Sequence, residues 1–129
     1  MENEEKVILF VYDTEGEKEK AIIEALECNG YTIKTTKNYS LALQEIRKLK
    51  KKKLIILVKD LFSGLSSSIF LESIKRDESN KMPVVFLYRH SNSSSFEKNI
   101  EASFPYFSFN IKDLIDKIEE LWKEKYLKS

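Results

Sequence analysis

Three short segments of the sequence are almost entirely apolar and rich in β-branched and aromatic residues: 6–12 (KVILFVY), 54–58 (LIILV) and 84–88 (VVFLY). A strand with one wet face alternates apolar and polar side chains, so uninterrupted runs of this length predict strands that are covered on both faces. Such strands are typical of parallel sheets with helices above and below them. The three runs therefore restrict the chain to the α/β class.

Amphipathic helical patterns separate these runs. A T-x-x-E spacing at Thr14 and Glu17 predicts a capping box at the start of the first helix, and Asn29 with Gly30 predicts its end. Asn110 predicts the N-cap of the last helix. The apolar faces of the four clearest helices are predicted to be Ala21, Ile22, Ala25 and Leu26; Leu41, Ala42, Ile46 and Leu49; Ile69, Phe70, Ser73 and Ile74; and Ile111, Leu114, Ile115, Ile118, Leu121 and Trp122.

Two further strands have mixed character and are expected at the edges of the sheet. Residues 31–35 (YTIKT) alternate in polarity, and residues 106–109 (YFSF) follow Pro105, after a short helix expected at residues 96–102. Right-handed crossovers then give a parallel sheet with helices on both faces. We predict a single domain over residues 1–129 with a flavodoxin-like (βα)5 fold, a doubly wound, five-stranded parallel sheet of order 2-1-3-4-5.

Composition narrows the classes of function. Lys and Arg total 22 against 21 Asp and Glu, so the net charge of +1 gives no field that favours nucleic acid or an anionic membrane. The basic run at residues 48–53 (KLKKKK) is interpreted as a solvated helix end. The apolar runs are too short to span a membrane, the acidic start is unlike a secretory signal, and the lone Cys28, expected to be buried, fits a reducing compartment. We expect a cytoplasmic protein.

A site is expected beyond the carboxyl ends of the strands, near the switch between strands 1 and 3. The residues at these ends are Tyr12 and Asp13, Val58 to Asp60, Tyr88 to His90, and Phe109. His90 has no metal-ligand partner at suitable spacing, and the serine clusters at residues 66–68 and 91–95 lack a glycine-rich phosphate loop. No nucleophile triad is present in the sequence pattern.

The order and spacing of three motifs resemble the receiver domain of bacterial two-component response regulators, the CheY-like family. These are ILFVYD at residues 8–13, GYTIKTTKNYSLAL at residues 30–43 and MPVVFLY at residues 82–88. The resemblance covers nearly the whole chain. It implies phosphorelay signalling, in which an aspartate at the end of strand 3 accepts a phosphoryl group beside Mg²⁺ held by an acidic pair.

Carried onto this sequence, the resemblance implies that most of that chemistry is lost. The acidic pair becomes Tyr12 and Asp13, the acceptor becomes Val58, the strand 4 hydroxyl becomes Tyr88, and the lysine after strand 5 becomes Phe109. Only Asp13 keeps a family group. The resemblance therefore implies a degenerate pseudo-receiver, neither a phosphoryl-accepting enzyme nor a binder of Mg²⁺ or another cofactor.

Two alternatives remain open. If strand 3 ran two residues further, Asp60 would be the acceptor, with Mg²⁺ near Asp13 and Glu15; that register buries Lys59, and an unpaired buried ammonium group is costly. We therefore expect Asp60 to be an exposed loop acid or a helix-capping residue. The other alternative is a small-molecule sensor whose cavity is lined by the four substituted positions, Tyr12, Val58, Tyr88 and Phe109.

The resemblance also indicates a partner surface. Ordinary receivers dimerise or meet other proteins through the face formed by their fourth helix, fifth strand and fifth helix. Tyr106 overlays the family's aromatic switch position, with Phe104 and Phe107 beside it, and aromatic side chains are favoured as interface anchors. We expect a protein partner or a homodimer at these three residues.

Overall fold

The computed structural model describes residues 5–13, 15–49, 54–59, 67–76, 82–88 and 100–127. Five strands are present in these ranges: β1 (Val7–Val11), β2 (Thr32–Thr36), β3 (Leu54–Lys59), β4 (Val84–Tyr88) and β5 (Ala102–Pro105). Four α-helices accompany them: α1 (Glu17–Cys28), α2 (Tyr39–Leu49), α3 (Ser67–Arg76) and α4 (Ile111–Trp122), which continues into a π-helical segment, Lys123–Leu127. Within the same ranges, none of the helices combines the length and the apolar character that crossing a membrane requires.

The strands form one parallel sheet of order β2-β1-β3-β4-β5. This order confirms the prediction, and the reason holds as well: β1 and β3 are buried along their whole length, whereas the edge strands β2 and β5 are largely half-buried or exposed. Four of the five predicted helices are described. Most of the other one, predicted at residues 96–102, lies outside the described residues, but its last residue, Ala102, begins β5.

The strands divide the core into two layers because successive side chains point to opposite faces. The first layer contains side chains from α2 and α3 with Val7, Leu9, Val11, Leu54, Ile56, Val58, Val84 and Phe86. The second contains side chains from α1 and α4 with Ile8, Phe10, Tyr12, Ile55, Leu57, Val85 and Leu87. Alternate residues of a strand therefore pack against the same helix layer, and this alternation also decides which layer a side chain at the end of the strand faces.

Helix α1 begins later than the capping pattern predicts. Its N-cap is Gly16, whose backbone N–H donates to Oε1 of Glu19 at 2.8 Å, so the predicted box with Glu17 at its third position is wrong. Thr14 lies outside the described residues. The buried face of the helix consists of Glu19, Ile22 and Leu26. The predicted end is confirmed, since Asn29 is the C-cap and Gly30 has a φ of 92° that favours glycine.

Four other burial predictions from the helical patterns are wrong. Ala21 and Cys28 are exposed, and Leu41 and Ile69 are 46% and 49% exposed. The first turns of α2 and α3 bury Tyr39, which was not predicted, and Phe70, which was; their rings stack at a centroid distance of 4.3 Å. The apolar spacing predicted each of these helices, but it did not determine which of two adjacent residues faces the core. In α4 the pattern was unambiguous, and Asn110 caps the helix by accepting from the Lys112 N–H at 2.8 Å.

The fifth strand lies earlier than predicted. It spans Ala102–Pro105, and the predicted YFSF strand is instead a turn, in which the Ser108 N–H donates to the Pro105 carbonyl at 3.1 Å. Proline within sheets is found mainly on edge strands, and here it is the last residue of β5. The shift places Tyr106 directly beyond the carboxyl end of the sheet, where its backbone N–H donates to the Tyr88 carbonyl at 2.8 Å.

Candidate functional site

A buried lysine marks the carboxyl end of β3. The strand runs one residue beyond the predicted end at Val58 and includes Lys59, which is only 6% exposed. Its position two residues after Leu57 directs it to the α1 and α4 layer. There its Nζ lies 3.0 Å from Oε2 of Glu19 and 3.7 Å from Oδ1 of Asp13.

Glu19 is the counter-ion of this lysine and is itself buried, with a side chain 2% exposed. It occupies the first turn of α1, where the helix dipole favours a negative charge. Burial acts to raise the pKa of the Glu19 carboxyl, but hydrogen bonds from Tyr106, Lys59 and the Gly16 N–H outweigh it and lower the pKa. The carboxylate is therefore held in its charged form.

Tyr106 completes the arrangement from the turn after β5. Its hydroxyl donates a short hydrogen bond to Oε2 of Glu19, and its ring centroid lies 4.6 Å from the Lys59 Nζ. Lys18 approaches from α1, donating to the Tyr106 carbonyl at 2.5 Å with its Nζ 4.8 Å from the ring centroid. We call Asp13, Glu19, Lys59 and Tyr106 the Lys59 cluster.

The structure separates the positions that the resemblance assigned to phosphoryl transfer. Tyr12 is buried in the α1 and α4 layer, where burial and a 2.8 Å hydrogen bond to Glu15 raise the pKa of its phenol. Phe109 packs against the same layer, with the Lys18 Nζ 5.1 Å from its ring centroid. Val58 and Tyr88 belong to the other layer. These four side chains lie on two faces of the sheet, so they do not line the single cavity that the sensor hypothesis requires.

The described residues do not fit a magnesium site. Mg²⁺ requires near-octahedral oxygen ligands, usually carboxylates and waters. Among the residues described here, no three His, Cys, Asp or Glu side chains are grouped to hold a metal ion. The carboxylates of Asp13 and Glu19 instead face the Lys59 ammonium group. Asp60, the alternative phosphoacceptor, lies outside the described residues.

Sequence reasoning missed Lys18 and Glu19 and misjudged Lys59. One signal was present for Glu19, because it precedes Ile22 by three residues and Leu26 by seven and so shares the buried face of α1. A charged residue on a core-facing stripe requires a partner. The matching cation is Lys59. It follows Ile55 and Leu57 at two-residue spacing, so its side chain points to the same layer as theirs.

The partner residues expected at the aromatic surface are found together. Tyr106 and Phe107 pack edge to face at a centroid distance of 5.1 Å, and Phe104 lies 6.3 Å from Phe109. Phe107 is 71% exposed, whereas Phe104 and Tyr106 are half-buried. We call Phe104, Tyr106 and Phe107 the aromatic turn face.

Comparison with known proteins gives a fold. No protein-family model and no curated protein sequence matches the chain. Among solved structures, the chemotaxis response regulator CheY4 of Vibrio cholerae is 14% identical, with a TM-score of 0.75 over 91% of this chain and 98% of that one. The response regulator TrrA of Thermotoga maritima, solved in complex with Mg²⁺ and BeF, is 22% identical, with a TM-score of 0.75 over 90% and 98%.

A response regulator from Desulfuromonas acetoxidans extends the same likeness, at 20% identity and a TM-score of 0.76 over 94% of this chain and 99% of that one. The match spans almost the full length of each structure. The chain therefore has the CheY-like receiver fold of response regulators.

Proposed function

We propose that this chain is a receiver-like signalling module of a two-component or phosphorelay system that acts by protein contacts without being phosphorylated. The observation that carries the proposal is the buried Lys59 ammonium group at the carboxyl end of β3, paired with Glu19 and Asp13. A receiver fold is supported by the structural neighbours. The Lys59 cluster supports the loss of phosphoryl transfer within that fold.

The physical argument concerns charge. Phosphoryl transfer needs a mobile divalent cation to offset the charge of the transferred group. A divalent ion about 4 Å from an ammonium group is repelled by roughly 8 kcal/mol at an effective dielectric constant of about 20. Lys59 lies 3.7 Å from Asp13, the one family acid that survives, so the two cations compete for the same carboxylate. The covalently attached ammonium group is present at all times and has Glu19 as a second partner.

Treatment with acetyl phosphate and Mg²⁺ is expected to leave the intact mass of the protein unchanged. Mg²⁺ with beryllium fluoride is expected to leave its thermal midpoint unchanged, because the Lys59 ammonium group lies 3.7 Å from the Asp13 carboxylate and competes with Mg²⁺ for it. TrrA, solved with Mg²⁺ and BeF, is the positive control for the second measurement. Any phosphoryl adduct contradicts the proposal, and its absence in Asp60→Asn assigns it to Asp60 and supports an active receiver.

The aromatic turn face is proposed as the contact surface, for a protein partner or for a second copy of this chain. Phe107 exposes a large apolar ring beside two half-buried aromatic side chains, and such rings anchor protein interfaces. The face lies next to the Lys59 cluster through Tyr106. A partner that binds this surface would therefore change the surroundings of the Lys59 cluster at the carboxyl end of the sheet.

A photo-crosslinking phenylalanine analogue at position 107 is expected to link to one defined protein, or to a second copy of the chain, in living cells. The reason is the exposure of the Phe107 ring, so the analogue replaces a residue of similar shape. The matched control carries the analogue at Cys28, which is exposed at the end of α1. Equal labelling from both positions contradicts a specific contact at the aromatic turn face.

A further inference from the structure

Two aromatic residues stand side by side in the turn after β5, and only one of them is exposed. We infer that Glu19 and Lys59 act as a clasp that holds Tyr106 inward and thereby fixes Phe107 outward. The clasp determines which of the two rings the molecule presents to a partner. This inference deepens the proposed function, on which its biological meaning rests, but the clasp itself is a property of the folded chain alone.

The choice between the two rings depends on the tyrosine hydroxyl. Tyr106 and Phe107 are similar in size and apolar surface, so burial alone favours neither strongly. Only Tyr106 carries a hydroxyl, and that hydroxyl donates to the buried Glu19 carboxylate. Hydrogen bonds to a charged acceptor are stronger than neutral ones, and an inward Phe107 could not make this bond. The hydroxyl therefore distinguishes the observed arrangement from its alternative.

Lys59 and Lys18 add to the same preference from two different elements. The Lys59 Nζ lies 4.6 Å from the Tyr106 ring centroid while it pairs with Glu19, so one cation contacts both partners of the hydrogen bond. Lys18 holds the backbone by donating to the Tyr106 carbonyl. A cation over an aromatic ring is stabilised most when it is shielded from water, as Lys59 is here.

The tip of the turn is exposed. Among the described residues, its backbone hydrogen bonds include those from the Tyr106 N–H to Tyr88 and from the Ser108 N–H to Pro105, and the Phe107 and Ser108 side chains are exposed. Segments with few buried contacts open locally at low cost. The clasp links this turn to the buried face of α1 and the end of β3, and its loss is expected to loosen the turn while the sheet stays closed.

Tyr106→Phe is expected to increase amide hydrogen exchange by about tenfold at position 106 and at Ser108, whose N–H groups donate to the Tyr88 and Pro105 carbonyls, because the variant removes the hydroxyl that selects the inward ring. Exchange at the central strand residue Leu9 should stay unchanged. The matched control is Tyr126→Phe, which removes a hydroxyl that donates to the Leu54 carbonyl at 2.7 Å, far along the chain from the turn. That control should leave the exchange of the Tyr106 and Ser108 amides as in the wild type.

A second variant keeps the inference open to contradiction if Tyr106→Phe fails to fold. Glu19→Gln retains the side-chain shape and is expected to accelerate the same two amides in the same direction, because the charged acceptor is gone. Unchanged exchange at position 106 and at Ser108 in the folded variants overturns the clasp. A phosphoryl adduct in the acetyl phosphate experiment would overturn only the proposed function, so the two failures are distinguishable.

Discussion

Lys59→Met is expected to lower the free energy of unfolding by about 3–5 kcal/mol, the largest effect of any single change in the Lys59 cluster. The variant leaves the Glu19 carboxylate, 2% exposed, without its cation at 3.0 Å. Methionine matches the length of the lysine stem, so little packing is lost and the cost arises from the uncompensated charge. Urea unfolding at neutral pH measures the effect.

Two further variants test this explanation. Lys112→Met removes the cation of an exposed pair with Asp116, 3.0 Å apart on α4, and is expected to leave the free energy of unfolding nearly unchanged. Combining Lys59→Met with Glu19→Gln is expected to recover most of the loss, because an apolar and a neutral group replace the buried pair. A double variant as unstable as Lys59→Met alone would show that the cost is not electrostatic.

The strand order could be predicted because the sequence of each strand shows whether one or both of its faces are buried. The uniform runs in β1 and β3 require two covered faces, and only central positions in the sheet provide them. The boundaries at the edges were less certain. Residues 106–109 have a strand-like composition, yet the chain uses Ala102–Pro105, since tertiary contacts of Tyr106 override local propensity.

The end of β3 illustrates a different limit. The argument that ended the strand at Val58 was that a buried Lys59 would be unpaired, and this premise is wrong because Glu19 and Asp13 pair with it. Glu19 lies 40 positions earlier in the sequence, on another element, and no local pattern joins the two. Pairing across a sheet and a helix depends on register and helix rotation, which spacing alone did not fix. The acetyl phosphate experiment therefore includes Asp60 as a direct test.

The candidate site shows why substituted family positions were a poor guide to geometry. The four substituted positions were grouped because each was expected at the end of a strand. Their side chains lie in two separate layers: Val58 and Tyr88 in one, Tyr12 and Phe109 in the other. The residues that do meet, Glu19, Lys59 and Tyr106, come from a helix face, a strand end and a turn. No local sequence pattern joins these three residues, and they come into contact only in the folded chain.

Glu19→Gln is expected to lower the free energy of unfolding by about 1.5–3 kcal/mol at neutral pH, the range for hydrogen bonds to charged groups. The smaller cost relative to Lys59→Met follows because the amide oxygen still accepts a hydrogen bond and Lys59 keeps Asp13 at 3.7 Å. Thermal and urea unfolding of the two proteins, side by side over a series of pH values, measure the difference.

This difference should disappear in acid, and its direction follows from the pKa. The ordinary pKa of a glutamate is 4.5. In the folded chain, burial acts to raise the pKa of Glu19, but the hydrogen bonds from Tyr106, Lys59 and Gly16 have the larger effect, so the pKa is lowered. A lowered folded-state pKa means that the stabilisation is complete above pH 4.5 and is lost as the pH falls through the lower value. Protonated Glu19 then resembles the glutamine.

The control for general acid effects is Glu120→Gln, in an exposed pair with Lys117 at 2.9 Å, which should differ from the wild type by less than about 1 kcal/mol at every pH. A Glu19→Gln difference that persists unchanged in acid would mean that shape, and not charge, stabilises the site. The charge of Glu19 is what the proposed clasp requires, because a neutral side chain would accept a weaker hydrogen bond from Tyr106 and would no longer pair with the Lys59 ammonium group.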